Sequence, residues 1–126
     1  MDDDHSARKG IARLLRTANY NVSDFASTDE FLEVLDSEEP DYVMPDCVVM
    51  DAGLSGLSSK MLGAELEERD VLIPIIIVTA HDDPQTREIA EEINAVGFFR
   101  KPVDGVALLD AIDWALTAHG RDSEEM

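Results

Sequence analysis

The sequence IPIIIVT, at residues 73–79, predicts a buried β-strand. Five of the six residues from Ile73 to Val78 are β-branched, and the proline near the start is tolerated in a strand but not inside a helix. Two more short apolar stretches lie on either side, CVVM at residues 47–50 and VGFFR at residues 96–100. Strands that are apolar on both faces are typical of parallel sheets, so these stretches predict one.

Segments with helical spacing lie between these strands and ahead of them. The predicted helices cover residues 7–18, 28–35, 59–69, 84–94 and 104–116. Their starts carry cap signals: STDE at residues 27–30 is a capping box, and Asp83 is an N-cap residue followed by proline at the first helical position. Strands alternating with helices imply right-handed crossovers and a parallel sheet covered on both faces, which is an α/β fold.

Length and charge restrict the class of protein. The chain has 126 residues, of which 28 are acidic and 10 basic, for a formal charge of −18. This length predicts one domain, residues 1–119, with residues 120–126 as a disordered tail or the start of a linker. The negative charge repels phosphate backbones, so we expect no direct nucleic acid binding by this chain.

Localisation is predicted from signals that the sequence does not contain. There is no apolar run near the ~18 residues of a membrane span, and residues 1–10 have no secretory pattern. The single cysteine, Cys47, excludes an internal disulfide and suits a reducing compartment. We therefore expect a cytoplasmic protein that does not bind membranes.

Polar side chains follow the apolar strands at the points where the strands end. These residues are Asp51, Thr79 and Lys101, and the acidic run Asp2–Asp4 precedes the first helix. Ligands of open α/β sheets bind at the carboxyl ends of the strands. Carboxylates, a hydroxyl and a lysine together predict a phosphoryl site with a hard cation, because Mg²⁺ prefers oxygen ligands and lysine attracts phosphate oxygens.

Several ordered motifs resemble the receiver domain of response regulators, the phosphoacceptor module of two-component signalling, in its nitrogen-fixation-regulator type. They are the acidic pair before ARKGIARLL, then CVVMD, IPIIIVTAHDD and GFFRKPVD, and the resemblance covers about residues 1–118. It implies a flavodoxin-like, doubly wound parallel sheet with strand order 2-1-3-4-5. It also implies a histidine kinase or histidine phosphotransfer protein as partner, with a homodimer as a further candidate.

The resemblance assigns a role to each site residue. Asp51 would accept the phosphoryl group, and Asp3, helped by Asp2, would hold Mg²⁺ together with Asp51 and the backbone carbonyl of Gly53. Thr79 would bond one phosphoryl oxygen.

Lys101 would pair with another phosphoryl oxygen. Phe98 would be the aromatic switch residue that moves with Thr79, and the Lys101–Pro102 bond would be cis. No enzymatic activity is expected beyond phosphorylation and dephosphorylation of Asp51 itself. The alternative hypothesis is that Phe98 is an ordinary aromatic residue of the core.

Two departures from the family pattern stand out. The loop after the acceptor usually reads Asp-x-x-Met-Pro with a later glycine, whereas Ser55 and Ser59 occupy the proline and glycine positions here. Only Met1 precedes Asp2, so the first, central strand is predicted to be missing or replaced. A late start codon, a truncation, or another segment or molecule filling the slot would each explain this, and the extra residues 38–45 are one candidate segment.

These departures keep a second function open. A degenerate receiver would act as a phosphorylation-independent interaction or dimerisation module. A haloacid-type phosphatase ranks lower, because it needs a second aspartate two residues after the nucleophile and Gly53 occupies that position.

Overall fold

The computed structural model describes residues 1–37 and 44–118, and the chain divides into two compact units, Met1–Pro45 and Asp46–Met126. Most of the predicted loop at residues 37–45 and the predicted tail at residues 120–126 lie outside the described residues. The single-domain boundary at residue 119 stays a prediction.

The first unit contains two helices, α1 (His5–Thr17) and α2 (Thr28–Asp36). The Asp4 carboxylate caps α1 by accepting from the backbone N–H groups of its first turn. The Ser27 hydroxyl caps α2 by accepting from the Glu30 N–H at 3.1 Å, as the predicted capping box requires. Both helices therefore begin where short polar side chains satisfy their first free N–H groups.

Residues 20–25, YNVSDF, are partly alternating, a pattern that favours a strand, but the segment forms no strand. A strand needs a ladder of backbone bonds to a neighbour. One backbone bond of this kind reaches the segment: the Asp2 N–H donates to the Phe25 carbonyl at 3.2 Å. Asp24, in the same segment, instead forms a salt bridge with Lys9 at 2.8 Å, and the hydrogen bond from that lysine lowers the pKa of the Asp24 carboxyl.

The second unit is a parallel three-stranded sheet with its helices. The strands are β1 (Val48–Asp51), β2 (Ile75–Thr79) and β3 (Gly97–Arg100), in the order β1-β2-β3. The helices are α3 (Leu57–Glu68), α4 (Pro84–Glu92) and α5 (Gly105–Ala118), with a short 3₁₀ turn at Leu54–Gly56. The predicted α/β fold with a parallel sheet is confirmed.

Strand β2 is the core of this unit. It pairs with a strand on each side and all five of its residues are buried, with Ile76 and Ile77 fully inaccessible to solvent. This explains why its sequence is continuously apolar rather than alternating. Leu62 on α3 and Leu108 on α5 are fully buried as well.

Cys47 lies immediately before β1 and is half-buried. Burial, aided by the neighbouring charge of Asp46, raises the pKa of its thiol to about 12. The side chain therefore remains a neutral thiol at physiological pH.

Within residues 1–37 and 44–118, β1, β2 and β3 are the only strands, so no strand precedes α1 there. The expectation that the family's first strand is missing from the sheet holds for this part of the chain. None of the helices in the same residues combines the length and the apolar character that a membrane span requires.

Replacing Ile76 with alanine tests the role of β2. Because the side chain is fully buried, we expect the free energy of unfolding to fall by about 2–5 kcal/mol. Leu72→Ala is the control, since Leu72 is 98% exposed and its loss is expected to cost less than about 0.5 kcal/mol. Urea denaturation followed by circular dichroism measures both; equal effects would show that β2 is not the core strand.

Candidate functional site

The polar residues predicted for the site lie at the carboxyl edge of the sheet. Asp51 is the last residue of β1 and Thr79 is the last residue of β2, while Lys101 directly follows β3. The strands are parallel and paired in register, with Asp51 opposite Val78 and Thr79 opposite Arg100. This register brings the three positions to one edge although they are far apart in sequence.

Asp51 and Lys101 form an ion pair across this edge. The distance from Lys101 Nζ to Asp51 Oδ2 is 3.7 Å, and the two side chains are 20% and 24% exposed respectively. At an effective dielectric constant of ~20, unit charges at this distance attract by about 4 kcal/mol before desolvation is subtracted. The pair is thus held together but remains open to a ligand.

Thr79 is tied to the loop that follows it. Its hydroxyl donates to the His81 carbonyl at 3.2 Å and accepts from the His81 N–H at 3.1 Å. Its backbone carbonyl accepts from the Lys101 N–H at 2.8 Å, which fixes the start of the segment after β3 beside the end of β2. The Lys101–Pro102 peptide bond is cis, as the resemblance implied.

The backbone of the loop after Asp51 has a positive φ at three positions. Ser55 has φ of 52°, in the left-handed region that proline cannot adopt. Gly53 and Gly56 also have positive φ, of 79° and 78°. The serine at the family's proline position therefore belongs to a turn that proline would not allow.

Ser59, at the family's glycine position, is fully buried and its hydroxyl donates to the Gly56 carbonyl at 2.8 Å. The Ser58 and Ser59 N–H groups both donate to the Ala52 carbonyl, at 3.0 and 3.2 Å. These bonds hold the loop against the end of β1, so the two serine departures are accommodated without an unpaired hydroxyl at Ser59.

Asp2 and Asp3 belong to the first unit. The Asp2 carboxylate accepts from the Asp4 N–H at 3.0 Å, and the Asp2 carbonyl accepts from the Arg8 guanidinium at 2.8 Å. Their role as metal ligands stays a prediction from the family resemblance.

Phe98, the predicted switch aromatic, is half-buried on β3 opposite Ile77. The guanidinium carbon of Arg87 lies 4.8 Å from the centre of its ring, which is a cation–π contact. Arg87 in turn donates to both carboxylate oxygens of Asp82, at 2.5 and 2.7 Å. Phe98 is therefore covered by a charged side chain of α4 rather than sealed in the core.

His81 and Arg87 are not among the site residues that the sequence predicts. The backbone of His81 holds the Thr79 hydroxyl, and a threonine two residues ahead is the sequence signal for such a turn. Arg87 carries no comparable signal, since its contact with Phe98 joins a helix to a strand that follows in sequence.

Comparison with known proteins identifies the class. A family model described as the response regulator receiver domain matches residues 1–113. The chain therefore belongs to the response regulator receiver domain family, and it is a receiver domain of two-component response regulators.

Particular relatives share this fold and sequence pattern. Nodulation protein W of Bradyrhizobium diazoefficiens is 36% identical over 112 residues, covering 89% of this chain and 47% of that protein. Transcriptional regulatory protein FixJ of Azorhizobium caulinodans is 30% identical over 125 residues, covering 99% of this chain and 56% of that protein. The chain thus spans about half the length of these curated relatives.

Solved structures of receiver domains have the same fold as this chain. The response regulator receiver protein from Burkholderia phymatum is 35% identical with a TM-score of 0.78, covering 93% of this chain and 91% of that one. A CheY-like receiver domain from Methanospirillum hungatei JF-1, at 20% identity and a TM-score of 0.80, supports the fold alone. The predicted flavodoxin-like class is confirmed.

Ser55 provides a test of the loop geometry. Because its φ is positive, Ser55→Gly is expected to raise the free energy of unfolding by up to about 1 kcal/mol, whereas Ser55→Pro is expected to lower it by more than that. Chemical denaturation of both variants gives the comparison. A neutral or stabilising proline would mean that residue 55 does not keep its positive φ in solution.

Proposed function

We propose that Asp51 accepts a phosphoryl group from a histidine kinase or a histidine phosphotransfer protein and that the modification switches a partner-binding face. The observation that supports this most directly is the 3.7 Å contact between Lys101 Nζ and Asp51 Oδ2 at the carboxyl edge of the sheet. A partly exposed carboxylate beside a lysine ammonium suits a nucleophile whose product carries additional negative charge.

The proposed phosphoryl transfer uses the side chains of Asp51, Lys101 and Thr79. An Asp51 carboxylate oxygen attacks the phosphorus of the phosphohistidine, an O–P bond forms, the P–N bond breaks, and the electron pair leaves on the imidazole nitrogen. The transition state of such transfers is loose, so positioning and charge neutralisation supply most of the rate. Lys101 neutralises one phosphoryl oxygen, and the Thr79 hydroxyl donates to another.

A divalent cation fits the donor chemistry around Asp51. Oδ1 of Asp51 accepts only a long bond in the described contacts, 3.4 Å from the Gly53 N–H. The Gly53 carbonyl accepts one bond, from the Gly56 N–H at 3.1 Å, and has a second lone pair. Mg²⁺ would supply charge neutralisation here; Asp2 and Asp3 as its further ligands rest on the family pattern alone.

The switch in this proposal couples Thr79 to Phe98. Drawing the Thr79 hydroxyl toward the phosphoryl group changes the space next to β3, and Phe98 moves in response. Converting a population ratio from 1:99 to 99:1 requires about 5.5 kcal/mol of differential stabilisation. Charge-assisted hydrogen bonds of ~1.5–3 kcal/mol each could together supply it.

The loop after Asp51 favours a second candidate, a degenerate receiver that binds its partner without phosphorylation. Its support is the left-handed Ser55 together with the buried Ser59, because both change the loop that would surround the phosphoryl group. Such a module would form the same partner contacts, or a homodimer, with Asp51 unmodified.

The remaining parts of the proposal follow from the sequence expectations. We place the protein in the cytoplasm, with no substrate turnover other than phosphorylation and dephosphorylation at Asp51.

Acetyl phosphate is a small phosphodonor that tests the acceptor directly. We expect Mg²⁺-dependent labelling of the protein that is lost in Asp51→Asn, and a labelling rate about 10²–10³ times lower in Lys101→Gln, because a charge that stabilises the transition state is removed. Intact mass spectrometry and the acid or base lability of the label are the measurements.

Asp46→Asn is the matched control, since Asp46 is an exposed aspartate just ahead of the same strand. It should label like the wild type. Persistent labelling of Asp51→Asn would refute the acceptor assignment. Absence of labelling in the wild type, with partner binding retained in Asp51→Asn, would favour the degenerate receiver.

A further inference from the structure

The loop between β2 and α4 is fastened at three consecutive positions. His81 is bonded to the Thr79 hydroxyl through both its N–H and its carbonyl. Asp82 binds the guanidinium of Arg87, and Asp83 caps α4 by accepting from the Thr86 N–H at 2.7 Å. The loop thus connects the end of β2 to the first turns of α4 without a loosely held residue between His81 and Asp83.

Asp82 holds Arg87 in one orientation. Nε of Arg87 donates to Oδ1 and Nη2 donates to Oδ2, at 2.5 and 2.7 Å, so the planar fork of the guanidinium is matched by both oxygens. The hydrogen bond from Arg87 lowers the pKa of the Asp82 carboxyl, and the charge of Arg100 acts in the same direction. Asp82 is therefore a fixed anion at neutral pH.

The guanidinium of Arg87 also lies over the ring of Phe98. The guanidinium carbon lies 4.8 Å from the ring centre, while the Arg87 side chain is still 62% exposed. A guanidinium held at one edge by a carboxylate can lie flat over a ring with its π face. Phe98 is thus covered by a group that is positioned by the loop and not by the packing of the core.

We propose that Arg87 is a positioning residue that couples the Thr79 hydroxyl to Phe98: the hydroxyl anchors His81, the loop presents Asp82, and Asp82 holds Arg87 over the ring. The inference rests on the proposed function, because it is the phosphoryl group that draws the hydroxyl away. A hydroxyl has one proton to donate, so donating to a phosphoryl oxygen ends its bond to the His81 carbonyl. Asp82 and Arg87 then shift, and the cover over Phe98 opens.

The first arm of the test needs no phosphodonor. Thr79→Val removes the hydroxyl but keeps the shape of the side chain, and NMR measures how fast the Arg87 Nε–H exchanges with water in the full chain. We expect exchange to become about two- to tenfold faster than in the wild type, the range set by the loss of one hydrogen bond. Unchanged exchange overturns the coupling, whatever the site does with phosphate.

The second arm measures the apparent affinity for beryllofluoride, a phosphoryl mimic, in the presence of Mg²⁺. If Arg87 holds the resting position of Phe98, Arg87→Ala and Asp82→Asn should tighten binding about two- to fivefold, because less of the protein starts in the resting state. Arg87→Lys should resemble Arg87→Ala, since lysine keeps the charge but lacks the planar fork.

Glu88→Gln is the control for this arm, because Glu88 is an exposed neighbour on the same helix, and it should leave the affinity unchanged. Equal affinities in Arg87→Ala and the wild type, with measurable binding in both, overturn the proposal. If the wild type neither binds beryllofluoride nor labels with acetyl phosphate, the proposed function fails, and the exchange measurement alone then decides the coupling.

Discussion

The parallel pairing of β2 with a strand on each side is the constraint on which the site depends. Parallel strands end at the same edge of a sheet, and the register fixes which residue stands at each end. With Asp51 opposite Val78 and Thr79 opposite Arg100, residues separated by up to fifty positions come within reach of one small ligand. A shift of β1 by one residue would turn the Asp51 side chain to the opposite face of the sheet and separate it from Lys101.

Much of this arrangement could be predicted from the sequence because it follows from periodicity. Apolar runs such as residues 75–78 identify strands, and the polar residue that ends each run identifies the ligand-binding edge. Helix starts were predictable for the same reason, since the caps at Ser27 and Asp83 are single side chains that act on their own backbone neighbourhood. Observed boundaries differ by a few residues, for example β2 beginning at Ile75 rather than at Ile73.

What could not be predicted depends on contacts between segments. Residues 20–25 form no strand in spite of their partly alternating pattern. Alternation indicates that one face of a segment is apolar, but it does not show that a neighbouring strand is available for pairing. The left-handed φ of Ser55 is a property of the closed loop, and serine gives no local signal for it. The cover of Arg87 over Phe98 joins a helix to a strand, so spacing along the chain does not reveal it.

The thiol of Cys47 bears on the chemistry that this domain can undergo besides signalling. Because burial raises the pKa of this thiol to about 12, Cys47 carries the neutral thiol at pH 7. Peroxides and disulfides react with the thiolate, so they have almost nothing to attack at this position. With its sulfhydryl kept neutral, Cys47 acts as a small apolar side chain next to the first residue of β1 and not as a reactive group.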